Sequence, residues 1–464
     1  MFSRTRQRKS AAFRRRLAAE CLETRNVLAG DVMATLIGGV LTIEGDVSAN
    51  DVMIRPGDEF AEYLVLGMNA DGEETTDVNG DVVIDEPITD IVVRLGTGSD
   101  SFTLEGFDAS APIVIGGNVM VEHEIGDDVV NLKNARINGQ LDIANKDHAS
   151  KSTLSVVGST VIGDTLIDAN GHDADSFVTI SEGSEFQGDV TIINHDGKDI
   201  FNIFGSTING DLAISNGPGD TRTVVGSQEG PTIWGNFDLA NDEGMDVLMI
   251  AQTDVWGAVA VANGDGNSQT TVETSEIGLG APVGMTGNFS IENDLGQDEV
   301  TFDNFEVRDN LTIDNGSAGD FQGSRVQLSQ TIVGNDLSIT NDGGFDTVLV
   351  NSGTSVVNNT YIYLLGGGSD VTLLDAELQG DLYLEAEAGD DLVRLENLEA
   401  QADVDIRLGE GIDELEIMRG TRLMGSTSLI GGDGIDKLMR EVGTSDPIFI
   451  AFLAMEDLEL DEFI

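Results

Sequence analysis

Aspartate, or a small polar substitute, recurs along this chain at Asp100, Asp128, Ser150, Asp175, Asp199, Thr221, Asp246, Ser268, Asp298, Asp320, Asp346, Asp370, Asp391, Asp413 and Asp436. The mean step is 24 residues. Each copy follows a Gly/Asn-rich turn and precedes an alternating apolar run. If the copies stack at the roughly 4.8 Å spacing of hydrogen-bonded strands, neighbouring carboxylates repel by about 1 kcal/mol in bulk water, rising to about 3.5 kcal/mol at an effective dielectric near 20. Two roles fit. Solvated carboxylates would stabilise the turns, whereas partly buried ones would be relieved by a cation with about six to eight oxygen ligands.

Other residues able to do chemistry are sparse. Trp234 and Trp256, the only tryptophans, stand at equivalent places in consecutive repeats on the outward side of a strand, where stacked indoles would make a platform for sugar rings. Asn170, Asn194, Asn216, Asn241, Asn263, Asn293, Asn315 and Asn341 close the first strand of successive repeats, and asparagine both tolerates left-handed turns and bonds to its own copy one strand away. A structural ladder is expected of them. The histidines, His123, His148, His172 and His195, fall at different repeat positions and form no metal-spaced set. Lys198, Arg222 and Arg308 stand alone, without the basic-acidic pairing a lyase needs, and no glycosidase pair stands out among so many acids. No Ser-His-Asp elbow or phosphate loop occurs. No catalytic residue is assigned.

The elements that must position these groups are strands. "INGDLAIS" puts Ile208, Gly210, Leu212 and Ile214 on one parity and Asn209, Asp211 and Ala213 on the other. A second alternating strand follows each turn and buries Phe201 and Ile203, Leu248 and Ile250, Val300 and Phe302, Val348 and Val350, Val393 and Leu395. Strand pairs at this period, without helical patterning, cannot bury their apolar faces alone. The expectation is an all-β, right-handed parallel β-helix of about 15 coils, on the order of 70 Å long. Residues 31–110 read as an N-terminal β-rich cap region, 111–443 as the solenoid and 444–464 as a C-terminal cap for its last open edge.

Charge and cysteine use narrow the partners. Residues 31–464 hold 16 Lys/Arg against 81 Asp/Glu. Such a surface repels nucleic acid and anionic membranes and draws cations or basic partners. The single cysteine, Cys21, leaves the body neither disulfides nor a thiolate metal site. The longest apolar runs, such as "PIFIAFLAM", are too short for a transmembrane helix of roughly 20 residues. Residues 1–30 are basic, with Phe13, Leu17 and Cys21 on one helical stripe, and read as an amphipathic helix or a basic tail.

Two resemblances add to this reading. "RRRLAAECLETRNVLAG" resembles the LEPR-XLL leader of planctomycete cell-surface and exported proteins, with Leu22, Glu23, Thr24 and Arg25 at the LEPR position and Asn26 to Ala29 at the XLL position. Thr24 and Val27 depart from the usual proline and leucine. The resemblance implies export to the cell envelope or the extracellular space. "GGDGIDKLM" at 431–439 resembles the hemolysin-type (RTX) calcium repeat, and "LGTGSDSFT", "LGGGSDVTL" and "LGEGIDELE" match it apart from the first glycine. That resemblance implies calcium at Asp100, Asp370, Asp391, Asp413 and Asp436, although the family's turns recur every nine residues and these about every 24. Together the expectations are a secreted or cell-surface, adhesin-like structural β-solenoid with calcium as its candidate ion and extracellular polysaccharide as a candidate partner. The alternative is a carbohydrate-active β-helix: a lyase, a glycosidase or a glycan binder.

Overall fold

The computed structural model describes residues 29–58, 62–68, 75–146, 151–169, 175–226, 230–280, 285–316, 323–341, 343–441, 449–456 and 459–463. All but the end of the basic leader lies outside these residues, as do Ser150, His148, Asn170, His172 and Asp320.

No helix forms among the described residues, and the chain winds as a parallel β-solenoid of about 13 turns, slightly fewer than the 15 expected from the sequence period. Each coil holds three strands. In one of them the first strand is Leu212–Ser215, the second Thr221–Val225, and a short third strand Thr232–Ile233. All three pair in parallel with their counterparts one coil on: Leu212 with Phe237, Thr223 with Leu248, Ile233 with Val255. The period-2 alternation sends every second side chain inward, where it meets its own copies above and below. Leu212 lies in a buried file with Val190, Phe237 and Val259, and Val348 in one with Val326, Val371 and Val393. Asn209 and Asp211 face solvent as expected.

Backbone geometry fixes the corners. Between first and second strands the glycines stack, Gly244 at φ 154° and Gly266 at φ 137°, and a Cβ on Gly266 would strike the carbonyl oxygen of Gly244. After the second strand one residue per coil takes the left-handed conformation, as Asn134, Gln252, Ser352 and Asn397 do at φ between 43° and 53°. Buried hydroxyls behind this corner cap the carbonyls it frees. Thr354 Oγ1 donates to the Asn351 carbonyl at 2.7 Å, as Ser184 Oγ does to that of Ser181. Thr354→Ala is expected to cost about 1 kcal/mol in denaturant unfolding, with no change in circular dichroism. At the third corner Asp189, Asp211 and Asn236 each accept the corresponding amide of the next coil, Asp211 from Asn236 N–H at 2.7 Å.

The ends differ. Ala29–Ile37 forms an antiparallel hairpin with Val40–Glu44, and Asp51–Pro56 another with Tyr63–Leu66, while Val40–Glu44 and Asp51–Pro56 also start the parallel stacks. The antiparallel strands pair with the first coil, while Asp90–Arg94 and Ser101–Glu105, inside the segment expected as a cap, already stack in parallel on Val40–Glu44 and Asp51–Pro56. At the other end, Phe449–Glu456 pairs in parallel with Arg422–Ile430 and Glu459–Phe463 with Lys437–Glu441. The C-terminal segment, expected as a cap, adds strands in the same sense as the coils before it.

Candidate functional site

The recurrent acids gather at the corner between first and second strands. Strand register aligns Asn50, Asp100, Asp128, Ser152, Ser176, Asp199, Thr221, Asp246, Ser268, Asp298, Ser324, Asp346, Ser369, Asp391, Asp413 and Asp436 in one column, buried except for half-buried Ser152. Each acid uses Oδ1 to accept from the coil before it. Asp100 takes the Asn50 N–H at 2.8 Å, Asp391 the Ser369 N–H at 2.8 Å, Asp413 the Asp391 N–H at 2.9 Å and Asp436 the Asp413 N–H at 3.1 Å. Asp199 accepts both the N–H and the hydroxyl of Ser176. The second oxygens of Asp100, Asp199, Asp391, Asp413 and Asp436 are buried without a hydrogen-bond partner. Burial therefore pushes the carboxyls of Asp100 and Asp391 up to about 7 and those of Asp199, Asp246 and Asp413 up to about 6. The charge of Asp413 adds to the rise at Asp391.

Four of the five calcium candidates thus belong to one column, and Asp370 does not. Ser369 holds its place, and Asp370 points outward, half-exposed, from the same strand. The alternation contains the reason: counting back from buried Val371 and Leu373, the inward residue is Ser369. The same counting replaces Asp175 by Ser176, Ser150 by Ser152 and Asp320 by Ser324.

One oxygen of each carboxylate is engaged by backbone, the copies are spaced a coil apart, and no group of three or more acidic, histidine or cysteine side chains among the described residues is placed to hold a metal. Calcium takes about six to eight oxygens from one shell. What the column does show is Oδ1 of each acid held by the coil before it.

Beside it runs the asparagine ladder. Asn194 Nδ2 donates to Asn216 Oδ1, Asn216 to Asn241, Asn241 to Asn263 and Asn263 to Asn293, each at 2.7 Å. Asn293 donates to Asn315 at 2.6 Å and Asn315 to Asn341 at 2.8 Å. One coil earlier the rung is Ala169. Further down, His123 occupies the rung below Asn145, its Nδ1 3.8 Å from Asp128 Oδ2, and burial lowers its pKa to about 4. Ser176 and Ser268 tie the two columns together through Asn194 and Asn293.

Trp234 and Trp256 stack as their repeat positions require, with ring centroids 3.8 Å apart and planes tilted by 38°. Trp234 is exposed and Trp256 half-buried. A second aromatic group escaped the sequence reading: Tyr361, Tyr363 and Tyr383 cluster on the outer face of the first strands. Alternation with Ile362 and Leu384 marks them as outward, but only the exact register places Tyr361 beside Tyr383.

Fold and corners define the class: a parallel β-solenoid whose polar groups are spent on holding coil to coil. No protein family, curated protein or solved structure matches the chain.

Proposed function

We propose that this chain is an exported, cell-surface structural and adhesion rod, wound right-handed as parallel crossovers overwhelmingly are. The observation that supports it most is the unbroken parallel stacking, with each coil held to the next by polar ladders. About 13 coils make a stiff spacer roughly 60 Å long. Its acidic exterior keeps it soluble and away from phosphate-rich partners. The LEPR-XLL-like leader supports the envelope or extracellular space as its place of work.

Surface proteolysis and fractionation of the producing cells, with small-angle scattering of the purified chain, test the reading. Expected are loss of the chain from intact cells on protease treatment and a rod-like scattering profile. Retention in the cytosol overturns export, and a globular envelope overturns the rod. Calcium stabilisation, implied by the hemolysin-type resemblance, is decided by melting with and without chelator.

The Trp234–Trp256 stack favours a second reading, a carbohydrate-active solenoid. Reducing-sugar and unsaturated-product assays detect a lyase or glycosidase, and loss of glycan-array signal in Trp234→Ser detects a binder at this stack.

A further inference from the structure

Three of the chain's four tyrosines occupy two consecutive coils of one outer face. The rings of Tyr361 and Tyr363 are parallel within 3° with centroids 6.4 Å apart, and Tyr383 lies 5.6 Å from Tyr363. Below them the equivalent places hold Ser338 and Thr340, and above Tyr383 the file continues with Asp405 and Ser428. The step from large to small side chains opens a groove of about 710 Å³ whose edges carry Asp381, Glu385, Asp403 and Asp405.

The walls are set before any ligand arrives. Tyr383 O–H donates to Glu385 Oε2 at 2.6 Å. Arg407 donates to Asp405 Oδ2 at 2.7 Å and stands 5.4 Å from the centre of the Tyr383 ring. Flat, half-exposed ring faces offer apolar area to the C–H face of a sugar, and the carboxylates beside them accept its hydroxyls. The electrostatics select among sugars. Four carboxylates surround the groove and Arg407 is already paired, so an anionic polysaccharide or a phosphate meets repulsion.

We propose that this groove binds an extended, uncharged hexopyranose chain running along the solenoid, its rings stacked on Tyr361, Tyr363 and Tyr383 and its hydroxyls bonded to the acidic edge. The proposal goes beyond the rod reading and is independent of export.

Calorimetric titration of the full chain with cellohexaose and chitohexaose, with hexagalacturonate as the anionic control, tests it. At least one uncharged hexasaccharide is expected to bind and hexagalacturonate to give no heat. The double variant Tyr361→Ser, Tyr383→Ser copies the serines of neighbouring coils and is expected to weaken binding roughly tenfold or more, while Phe107→Ser, at an exposed aromatic far along the chain from the groove, leaves it unchanged. No heat from either uncharged sugar at roughly 5 mM, unaltered affinity in the tyrosine variant, or an equal loss in Phe107→Ser overturns the proposal. Should the double variant melt early, nitration of the unaltered chain decides. Bound hexasaccharide must slow modification of the three clustered phenols and spare Tyr63, and equal rates with and without sugar overturn the site.

Discussion

The melting temperature of this protein is expected to be highest near pH 5 and to fall steadily to pH 8, with an excess of chelator present throughout. Asp100 and Asp391 titrate near 7 in the folded chain, and Asp199, Asp246 and Asp413 near 6, all above the ordinary aspartate value of 3.8. The folded state therefore binds more protons than the unfolded state between about pH 4 and pH 7, and stability must decline as pH rises through that window. His123 works in the opposite sense. Its folded pKa near 4 lies below the ordinary 6.5, so its contribution is lost as pH falls from about 6.5 to 4. Five acids outweigh one imidazole, and mutual repulsion in a chain of net charge −59 acts in the same direction as the acids. With each pKa unit worth about 1.4 kcal/mol, the five acids less the opposing imidazole set an upper bound of about 7 kcal/mol on the loss from pH 5 to pH 8, which solvent screening reduces.

Asp413→Asn isolates one member of the column. The amide keeps an acceptor for the Asp391 N–H and removes a charge beside Asp391. The variant is expected to melt higher than the parent at pH 8 and equally at pH 5. A column held by a cation would behave in reverse, gaining stability with pH and losing it to chelator, and that result would sink the proton account.

Asn263→Leu is expected to cost about 3 kcal/mol, and Asn341→Leu only about 1 kcal/mol, in paired denaturant titrations. Both positions receive the same substitution, which keeps the branching of the side chain and adds the same bulk at each, so the contrast reads hydrogen bonding. Asn263 accepts from half-buried Asn241 and donates to Asn293, so its loss removes two bonds of the ladder. Asn341 is the last rung: it accepts from Asn315, while its own Nδ2 is buried without a partner and the next coil carries Leu364 in register. Hydrogen exchange should locate the damage of Asn263→Leu in Phe237–Ala240, Val259–Asn263 and Phe289–Asn293, because a coil contacts only its neighbours. Equal costs at the two positions would mean that the ladder contributes no more than its separate bonds.

What the sequence makes legible is whatever depends on parity within one strand. Leu212 and Val348 lie in interior files, and Asn194 to Asn341 form their ladder, because alternation and a recurring turn suffice to place them. Asp370 fails because its coil keeps the turn length of its neighbours but carries Ser369 at the column position and the aspartate one residue later, so aligning aspartates across repeats loses the parity that Val371 keeps. The fate of the carboxylates was also hidden. A turn aspartate looks alike in sequence whether it faces water, an ion or the amide of the coil before it, and only the third-dimension stacking of Asp391, Asp413 and Asp436 decides. The tyrosine groove is invisible for a related reason, since residues 22 apart become neighbours only if every intervening corner has the right count.

One spacing has a consequence for how such a molecule changes over generations. Val356, Leu378 and Ala400 face each other across two steps of 22 residues each. Any contiguous block of that length, copied in tandem, carries matching upper and lower edges wherever it begins. Gain or loss of a single short genetic segment would then lengthen or shorten the molecule's reach by roughly 4.8 Å while leaving both tips as they were. Reach is thus inherited in whole coils, as on a ruler cut at its marks.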